Sequence, residues 1–287
     1  MRLSVIIACF NAAQTIGVQL EALALQTWCE PWEIIVADNG STDDSRAVVE
    51  QFKCRLPNLK LIDASKVRGV AHARNVAVSI AQGESLAFCD ADDEVAPGWV
   101  AAMGEALATY DFVACRREYA KLNEPWLLKV RSLNQQNGVQ TYRYPPFLPH
   151  ASSSALGVKR TLFQSIGGFD ESMQCLSDTD FCWRLQLAGT KLEFVPNAVV
   201  HYRFRPNTWK ICTQARKYGK YNVFLYEKYR SKGMPKLTLK MGLAGWWQLL
   251  RGAPKLLNSS ERVRWLRDLS WRIGRLEGCL KYKLIAL

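Results

Sequence analysis

No Cys-x-x-Cys pair occurs among the nine cysteines, no apolar run is long enough to span a bilayer, and no internal repeat or low-complexity segment interrupts the chain. Each absence removes a class of protein. An odd number of scattered cysteines excludes a fully paired disulfide framework and a zinc ribbon. Cys9, Cys89 and Cys115 instead lie in apolar, strand-like runs where a thiol packs as a small hydrophobe, which fits a reduced, cytoplasmic compartment. The longest uncharged apolar run near the end, Met241 to Leu250, has ten residues between Lys240 and Arg251, about half the ~20 needed to cross a membrane. At the start, Met1 runs straight into Ser4-Val-Ile-Ile-Ala8 with no basic segment before a long apolar stretch, so no secretion signal is expected. Histidine is scarce at three residues, which leaves few candidates for imidazole chemistry.

With 287 residues, 48% of them hydrophobic and 22% charged, the chain can build one generous core and a smaller appendage. The net charge of +12 is unevenly placed, because residues 203 to 287 hold 20 Lys and Arg against four acids. The first 202 residues are therefore slightly acidic, and nucleic acid is not the expected partner. In the tail, Trp246, Trp247, Trp265 and Trp271 alternate with the cations. That pattern suits helices lying on an anionic membrane surface, with rings at headgroup level; a solvated helical lid with packed tryptophans is the alternative.

Short β-rich runs alternate with helical patterns through the first hundred residues. Strands are expected over Leu3–Ala8, Trp32–Ala37, Leu59–Ile62 and Ser85–Cys89. Helices are expected over about 13–26, 43–52, 70–81 and 99–108, the last opened by Pro97. Strands that are apolar on both faces and separated by helices predict an α/β fold with a mostly parallel, Rossmann-like central sheet flanked by helices. Residues 116 to 150 read as loops, with turns at Asn137-Gly138 and Pro145-Pro146. A helix over 178–188, a strand over 193–200 and a basic helical extension from about Arg205 complete the pattern.

Ligands of such sheets bind beyond the carboxyl ends of the strands, and two of those ends are acidic: Asp38-Asn-Gly-Ser-Thr-Asp-Asp44 and Asp90-Ala-Asp-Asp-Glu94. In Phe88-Cys-Asp-Ala-Asp-Asp93, two carboxylates one residue apart at a strand end can share a hard divalent cation that also grips a diphosphate. A bound cation would stabilise charge developing on a departing diphosphate without proton transfer. The same acids could instead cap a helix, and context decides between the two.

The arrangement resembles glycosyltransferase family 2. Ser4-Val-Ile-Ile-Ala-Cys-Phe-Asn11, Asp38-Asn-Gly-Ser-Thr-Asp43, Arg68-Gly-Val-Ala-His-Ala-Arg-Asn75 and Asp90-Ala-Asp92 match it in order and spacing. Gly167-Gly-Phe-Asp-Glu171, Ser177-Asp-Thr-Asp-Phe181 and His201 extend the match to about residue 202. The resemblance implies a GT-A catalytic domain over 1–204, with residues 205–287 as a basic, aromatic-rich helical region, and an inverting transfer from a nucleoside-diphosphate sugar to a glycan or lipid-linked acceptor of the cell envelope. UDP is the first donor nucleotide to consider, with GDP and dTDP open. It implies that Asp38 accepts a hydrogen bond from the base, that Arg74 and Asn75 lie along ribose and diphosphate, and that Asp90 touches ribose or base. Asp92 would hold Mn²⁺ or Mg²⁺, with His201 as a further ligand or as a plain strand-end imidazole.

The reaction also needs a base for the acceptor hydroxyl. Asp178 occupies the family's catalytic carboxylate position, with Asp180 as the alternative and helix capping as the structural reading of both. Ser177 departs from the family's usual Glu before this Asp, and Ala8 from its common Pro. Ser152-Ser-Ser154 can meet acceptor hydroxyls or form an ordinary polar loop. A peripheral position at the cytoplasmic face of the membrane follows from the tail and from a lipid-linked acceptor. Two other functions stand beside this one. A nucleotidyltransferase would use a similar fold, but Cys9-Phe-Asn-Ala-Ala-Gln14 lacks the glycines of a phosphate loop. A basic membrane- or RNA-binding protein with an inactive domain is motivated by the tail, and the set of Asp38, Asp90, Asp92 and Asp178 argues against it.

Overall fold

The computed structural model describes residues 2–286, with the side chains of residues 259 and 260 left aside. In chain order the elements are β1 (Leu3–Cys9), α1 (Ile16–Ala24), β2 (Trp32–Asp38), α2 (Ser45–Phe52), β3 (Leu59–Asp63), α3 (Val70–Ile80), β4 (Ser85–Asp90), β5 (Glu94–Val95) and α4 (Trp99–Thr109). There follow β6 (Phe112–Glu118), α5 (Pro125–Val130), β7 (Leu156–Lys159), α6 (Arg160–Ser165), α7 (Ser177–Leu187) and β8 (Glu193–His201). The chain closes with α8 (Thr208–Tyr229), α9 (Leu239–Arg251) and α10 (Ser259–Tyr282).

Two compact units are present. The first comprises the chain through Leu122 with Asn134–Gln140 and Pro149–Arg203; the second comprises Asn123–Leu133, Thr141–Leu148 and the chain from Phe204 onward. Two stretches that read as loops in the sequence thus belong with the basic tail.

The first unit is built on one sheet of order β3-β2-β1-β4-β7-β6-β8-β5. Its first half is parallel, as the alternation with helices requires. Beyond β4 the sheet is mixed, with β7 antiparallel to both neighbours, β6 parallel to β8, and β5 antiparallel to β8. Of the "mostly parallel" expectation, then, the β3-to-β4 half stands as read, and the other half has both senses. The reason is local. β7 has four residues and β5 two, too few for a periodic signal. Pro97 does not open α4; Gly98 stands between, in the left-handed region at φ 78°.

Strand period two sets both cores. Leu3, Val5, Ile7 and Cys9 of β1 face α1, α2 and α4, with Ile16, Leu20, Val49, Trp99 and Met103. Ile6 joins Phe88, Leu156 and Val158 against α3, α6 and α7 on the other face. Four rings, Phe88, Phe163, Phe169 and Phe181, pack there with centroids 4.6 to 5.9 Å apart. The three strand cysteines are buried, and burial pushes the Cys9 thiol up to about 11 and Cys115 to about 12. They behave as packed hydrophobes.

In the second unit α8 crosses α10 at glycines. A Cβ on Gly219 would strike the carbonyl of Trp271, and one on Gly274 the carbonyl of Arg216. Arg275 is buried in this unit over the rings of Tyr144 and Trp271, at 4.8 and 4.9 Å. Among the described residues no helix is long and apolar enough to cross a membrane.

At the amino-terminal edge of the sheet, buried Glu33 of β2 accepts hydrogen bonds from Ser4 Oγ (2.7 Å), the Gln82 amide (2.7 Å) and Lys60 Nζ (2.7 Å). Burial would raise its carboxyl, but these donors outweigh burial and hold it below the usual carboxylate value. A depressed carboxyl contributes stability above its unfolded pKa and loses it as pH falls through the folded one. Glu33→Gln should therefore lower the unfolding free energy by about 1–3 kcal/mol at pH 7. In denaturant titrations that deficit should shrink as pH drops below about 4; a pH-independent deficit would contradict the assignment.

Candidate active site

Strand register places the acidic ends. Cys9 of β1 pairs with Asp38 of β2, and Ala8 with Asp90 of β4, so the two aspartates flank β1 by one strand spacing, ~4.8 Å, on either side. They are one register step apart and turn to opposite faces. Asp38 is buried on the α2 side, where it accepts from the Ser41 amide and from Arg46, each at 3.3 Å. Asp90 turns to the α3 side and accepts from Arg74 Nη2 at 2.6 Å.

Between them a cavity of about 270 Å³ opens past the end of β1, lined by Ala8, Cys9, Phe10, Asn39, Arg68 and the first turns of α3. Asn39 shapes it, donating to the carbonyls of Ala64 (2.6 Å) and Val67 (2.8 Å) and accepting from the Gly69 amide (2.8 Å). Gly69, at φ 146°, lets the chain turn into α3. The Arg68 guanidinium lies 4.7 Å from the centroid of the half-exposed Phe10 ring. An apolar slot with an aromatic edge beside the N-terminus of a helix can take a flat base on one side and phosphate on the other. Asp38 stands outside the lining of this slot, and its neighbour Asn39 forms part of the wall.

The structure separates the roles of Arg74 and Asn75. Arg74 is buried and holds Asp90, with its Nε left without a hydrogen-bond partner. The Asn75 amide is engaged at both ends: Nδ2 donates to the Phe169 carbonyl (2.9 Å) and Glu171 (2.8 Å), and Oδ1 accepts from the Phe169 amide (2.9 Å). Asn75 thus clamps the Gly168–Glu171 loop, which brings Phe169 to 5.6 Å from the Arg74 guanidinium.

Beyond Asp90 the carboxylates crowd. Asp93 is buried, and burial, reinforced by the charges of Asp92 and Asp90, pushes its carboxyl well above the usual range. Its Oδ1 accepts from the Arg203 amide (2.9 Å) while Oδ2 has no donor, and Arg203 Nε donates to the Asp92 carbonyl (2.9 Å). Arg203 reaches this loop because β5 pairs antiparallel with β8, Glu94 opposite His201. His201 also pairs in register with Glu118, and its Nδ1 lies 2.7 Å from Glu118 Oε2. A carboxylate on one ring nitrogen fixes the orientation of the other, the usual support for an imidazole ligand.

Among the described residues no three His, Cys, Asp or Glu side chains converge as a complete metal cage. The donors do fit a hard cation that takes its remaining ligands from a diphosphate, since such ions are commonly held by one or two carboxylates plus phosphate oxygens. The donor-less oxygen of Asp93 beside Asp92 is the observation that suits it.

Asp178 comes to the same sheet edge by another route. It sits in the first turn of α7, where Oδ2 accepts from the Ser153 amide (3.2 Å). The Ser153–Ala155 turn leads into β7, whose Leu156 pairs with Phe88 two residues before Asp90. Asp180 is different. It is fully buried and bound to Arg184 Nε at 2.8 Å, while the other Arg184 nitrogens donate to the Ile166 and Gly168 carbonyls. Asp180 is closed off from solvent, whereas Asp178 is partly exposed.

Ser153 and Ser154 are buried, so this segment is a packed turn and not an open polar loop. Gln135 holds it. Its Nε2 donates to the Cys115 and Ala155 carbonyls, and its Oε1 accepts from the Ser152 amide at 2.9 Å. Gln135, Arg203 and Glu118 were not singled out by sequence, since nothing periodic or motif-like marks them.

The family model for Glycosyl transferase family 2 matches residues 4–167, and that for Glycosyl transferase family group 2 matches residues 88–276. The pre-mycofactocin glycosyltransferase of Mycobacterium tuberculosis is 26% identical over 220 residues, which cover 74% of this chain and 46% of that protein. UDP-Glc:alpha-D-GlcNAc-diphosphoundecaprenol beta-1,3-glucosyltransferase WfgD of Escherichia coli is 36% identical over 90 residues, covering 31% of this chain and 34% of that protein. The matches thus span less than half the length of either relative. Among solved structures, the mannosyltransferase PcManGT of Pyrobaculum calidifontis, in complex with GDP-Man and Mn²⁺, superposes with a TM-score of 0.71 at 19% identity, covering 98% of this chain and 87% of that one.

If Asn75 is the clamp of the Gly168–Glu171 loop, Asn75→Ala should raise amide hydrogen exchange across residues 168–172 by about tenfold or more. The exchange of β1 and β2 should stay unchanged. Unaltered protection of the loop would remove Asn75 from that role.

Proposed function

The chain belongs to glycosyl transferase family 2, with the GT-A fold, and from that premise we propose that it is an inverting, metal-dependent transferase that moves a sugar from a nucleoside diphosphate to a hydroxyl of a glycan or lipid-linked acceptor. The main support is the gathering at one sheet edge of a base-sized slot, the Asp90–Asp93 carboxylates and the partly exposed Asp178.

In this reading the base lies in the slot between Phe10, Asn39 and Arg68, and Asp38 holds the turn behind it. Asp90, fixed by Arg74, meets the ribose. The diphosphate runs toward Asp92, with His201 completing that end. A divalent cation held by Asp92, Mn²⁺ or Mg²⁺, would neutralise charge on the departing diphosphate. Asp178 accepts the proton of the acceptor hydroxyl as its oxygen attacks the anomeric carbon. The bond from that carbon to the diphosphate oxygen breaks on the opposite face, and its electron pair leaves with the nucleoside diphosphate. One displacement inverts the anomeric centre.

UDP-sugars are the first donors to test, because the E. coli relative is named for UDP-Glc, and the GDP-Man complex of the Pyrobaculum calidifontis structure keeps GDP in the set. The E. coli name also specifies a diphosphoundecaprenol-linked acceptor, which supports a lipid-linked acceptor here. With such an acceptor the basic second unit would work at the cytoplasmic face of an anionic membrane.

Asp178→Asn separates chemistry from binding. Release of nucleoside diphosphate from the donor should fall by about 10²–10⁴-fold, while calorimetric donor affinity stays within about twofold. Unchanged turnover would remove Asp178 from the mechanism. Proton NMR of the product should show the opposite anomeric configuration to the donor, and retention would contradict a single displacement.

A further inference from the structure

The second unit carries one helix whose apolar side faces outward. Along α9, Leu239, Leu243, Trp247 and Leu250 recur at spacings of four, four and three, which places them on one helical stripe. Together with Leu257 just beyond the helix they are 55–93% exposed. The opposite side of α9 is already engaged. Gly242, Gly245 and Leu249 are buried, the Leu249 carbonyl accepts from Trp265 Nε1 at 2.8 Å, and the Arg272 guanidinium fills the space a Cβ on Gly245 would need. The helix is thus docked by one face to α10 and bare on the other. This differs from the four-tryptophan pattern read in the sequence. Trp246, Trp265 and Trp271 are each partly covered, and of the four it is Trp247 that stands exposed, at 58%.

Charge indicates what covers the bare stripe. Between Glu227 and Glu261 the chain holds seven Lys or Arg and no acid. Lys236, Lys240, Arg251 and Lys255 are exposed around the stripe, and the Arg251 guanidinium lies 5.5 Å from the Trp247 ring centroid. A second copy of this chain docked through the same face would bring cation against cation. An anionic bilayer supplies phosphate for the cations and hydrocarbon for the stripe. With 13 residues, α9 is about 20 Å long, too short to cross the ~30 Å hydrocarbon core. It has to lie in the plane of the interface.

We propose that α9 is an in-plane membrane anchor, with Leu239, Leu243, Trp247 and Leu250 inserted below the headgroups of an anionic leaflet and the flanking Lys and Arg on lipid phosphate. The inference rests on the membrane-surface reading above for its partner, but not on the chemistry of transfer. It replaces a generally basic tail with one helix face.

The test uses the full chain and flotation with phosphatidylcholine vesicles, with and without phosphatidylglycerol. The wild type should float with the anionic vesicles and much less with the neutral ones. Leu243→Glu/Trp247→Glu, at two exposed positions, should weaken flotation at least tenfold while leaving circular dichroism and nucleotide binding unchanged. Brominated lipid should quench part of the wild-type tryptophan emission, and Trp247→Phe should remove most of that quenching. Equal flotation of wild type and double variant, or no flotation of the wild type, would overturn the proposal. So would a dimer in light scattering that the double variant disperses, since the stripe would then be an interface between copies. Nucleotide binding is read separately, so loss of the anchor and failure of the transferase reading give different results.

Discussion

Strand β4 ends in three carboxylates within four residues, and the arrangement of the first unit follows from making that tolerable. Like charges so close oppose one another, the more so in a partly buried edge of low dielectric. Asp90 has the buried Arg74, and Asp93 takes the Arg203 amide and is pushed toward its neutral form, while the Arg203 side chain is held beside them on the Asp92 backbone carbonyl. Arg74 comes from α3 and Arg203 from the residues after β8, so two distant segments must close on the same strand end. The two-residue β5, paired with β8, is the short connection that makes this closure.

From that edge the order spreads outward through side chains. Asn75, the residue after Arg74, fixes the Gly168–Glu171 loop. The same loop is held from behind by Arg184, whose partner Asp180 is two residues from Asp178. Gln135 fixes the turn whose Ser153 amide meets Asp178. The β4 end and α7 are thus joined by packed, hydrogen-bonded segments, with Phe169 and Phe181 in direct ring contact at 4.6 Å.

The parallel half of the sheet was legible because β1, β2 and β4 are apolar on both faces and β2 and β4 end in acids, a pattern that period and turn chemistry both report. The mixed half was not. β6 leads into a stretch without periodicity, and β7 owes its place to pairing with β4 and not to its four residues. The carboxylates of the site could be named from their motifs, but their division of labour could not. The burial of Asp180 against Arg184, the engagement of both ends of the Asn75 amide, and the position of Asp38 behind Asn39 are tertiary facts. The tail misled in a specific way: four tryptophans look alike in sequence, and packing in the second unit leaves Trp247 as the exposed one.

In the proposed function the strand-end carboxylates form, with a cation, one site for the diphosphate of a nucleotide sugar. Calorimetric titration of the protein with UDP, GDP and dTDP, each with and without Mn²⁺, beside Asp92→Ala, tests this most directly. One nucleotide should bind in a Mn²⁺-dependent way and lose that dependence in Asp92→Ala. Binding of none of them, or binding indifferent to both metal and substitution, would contradict it.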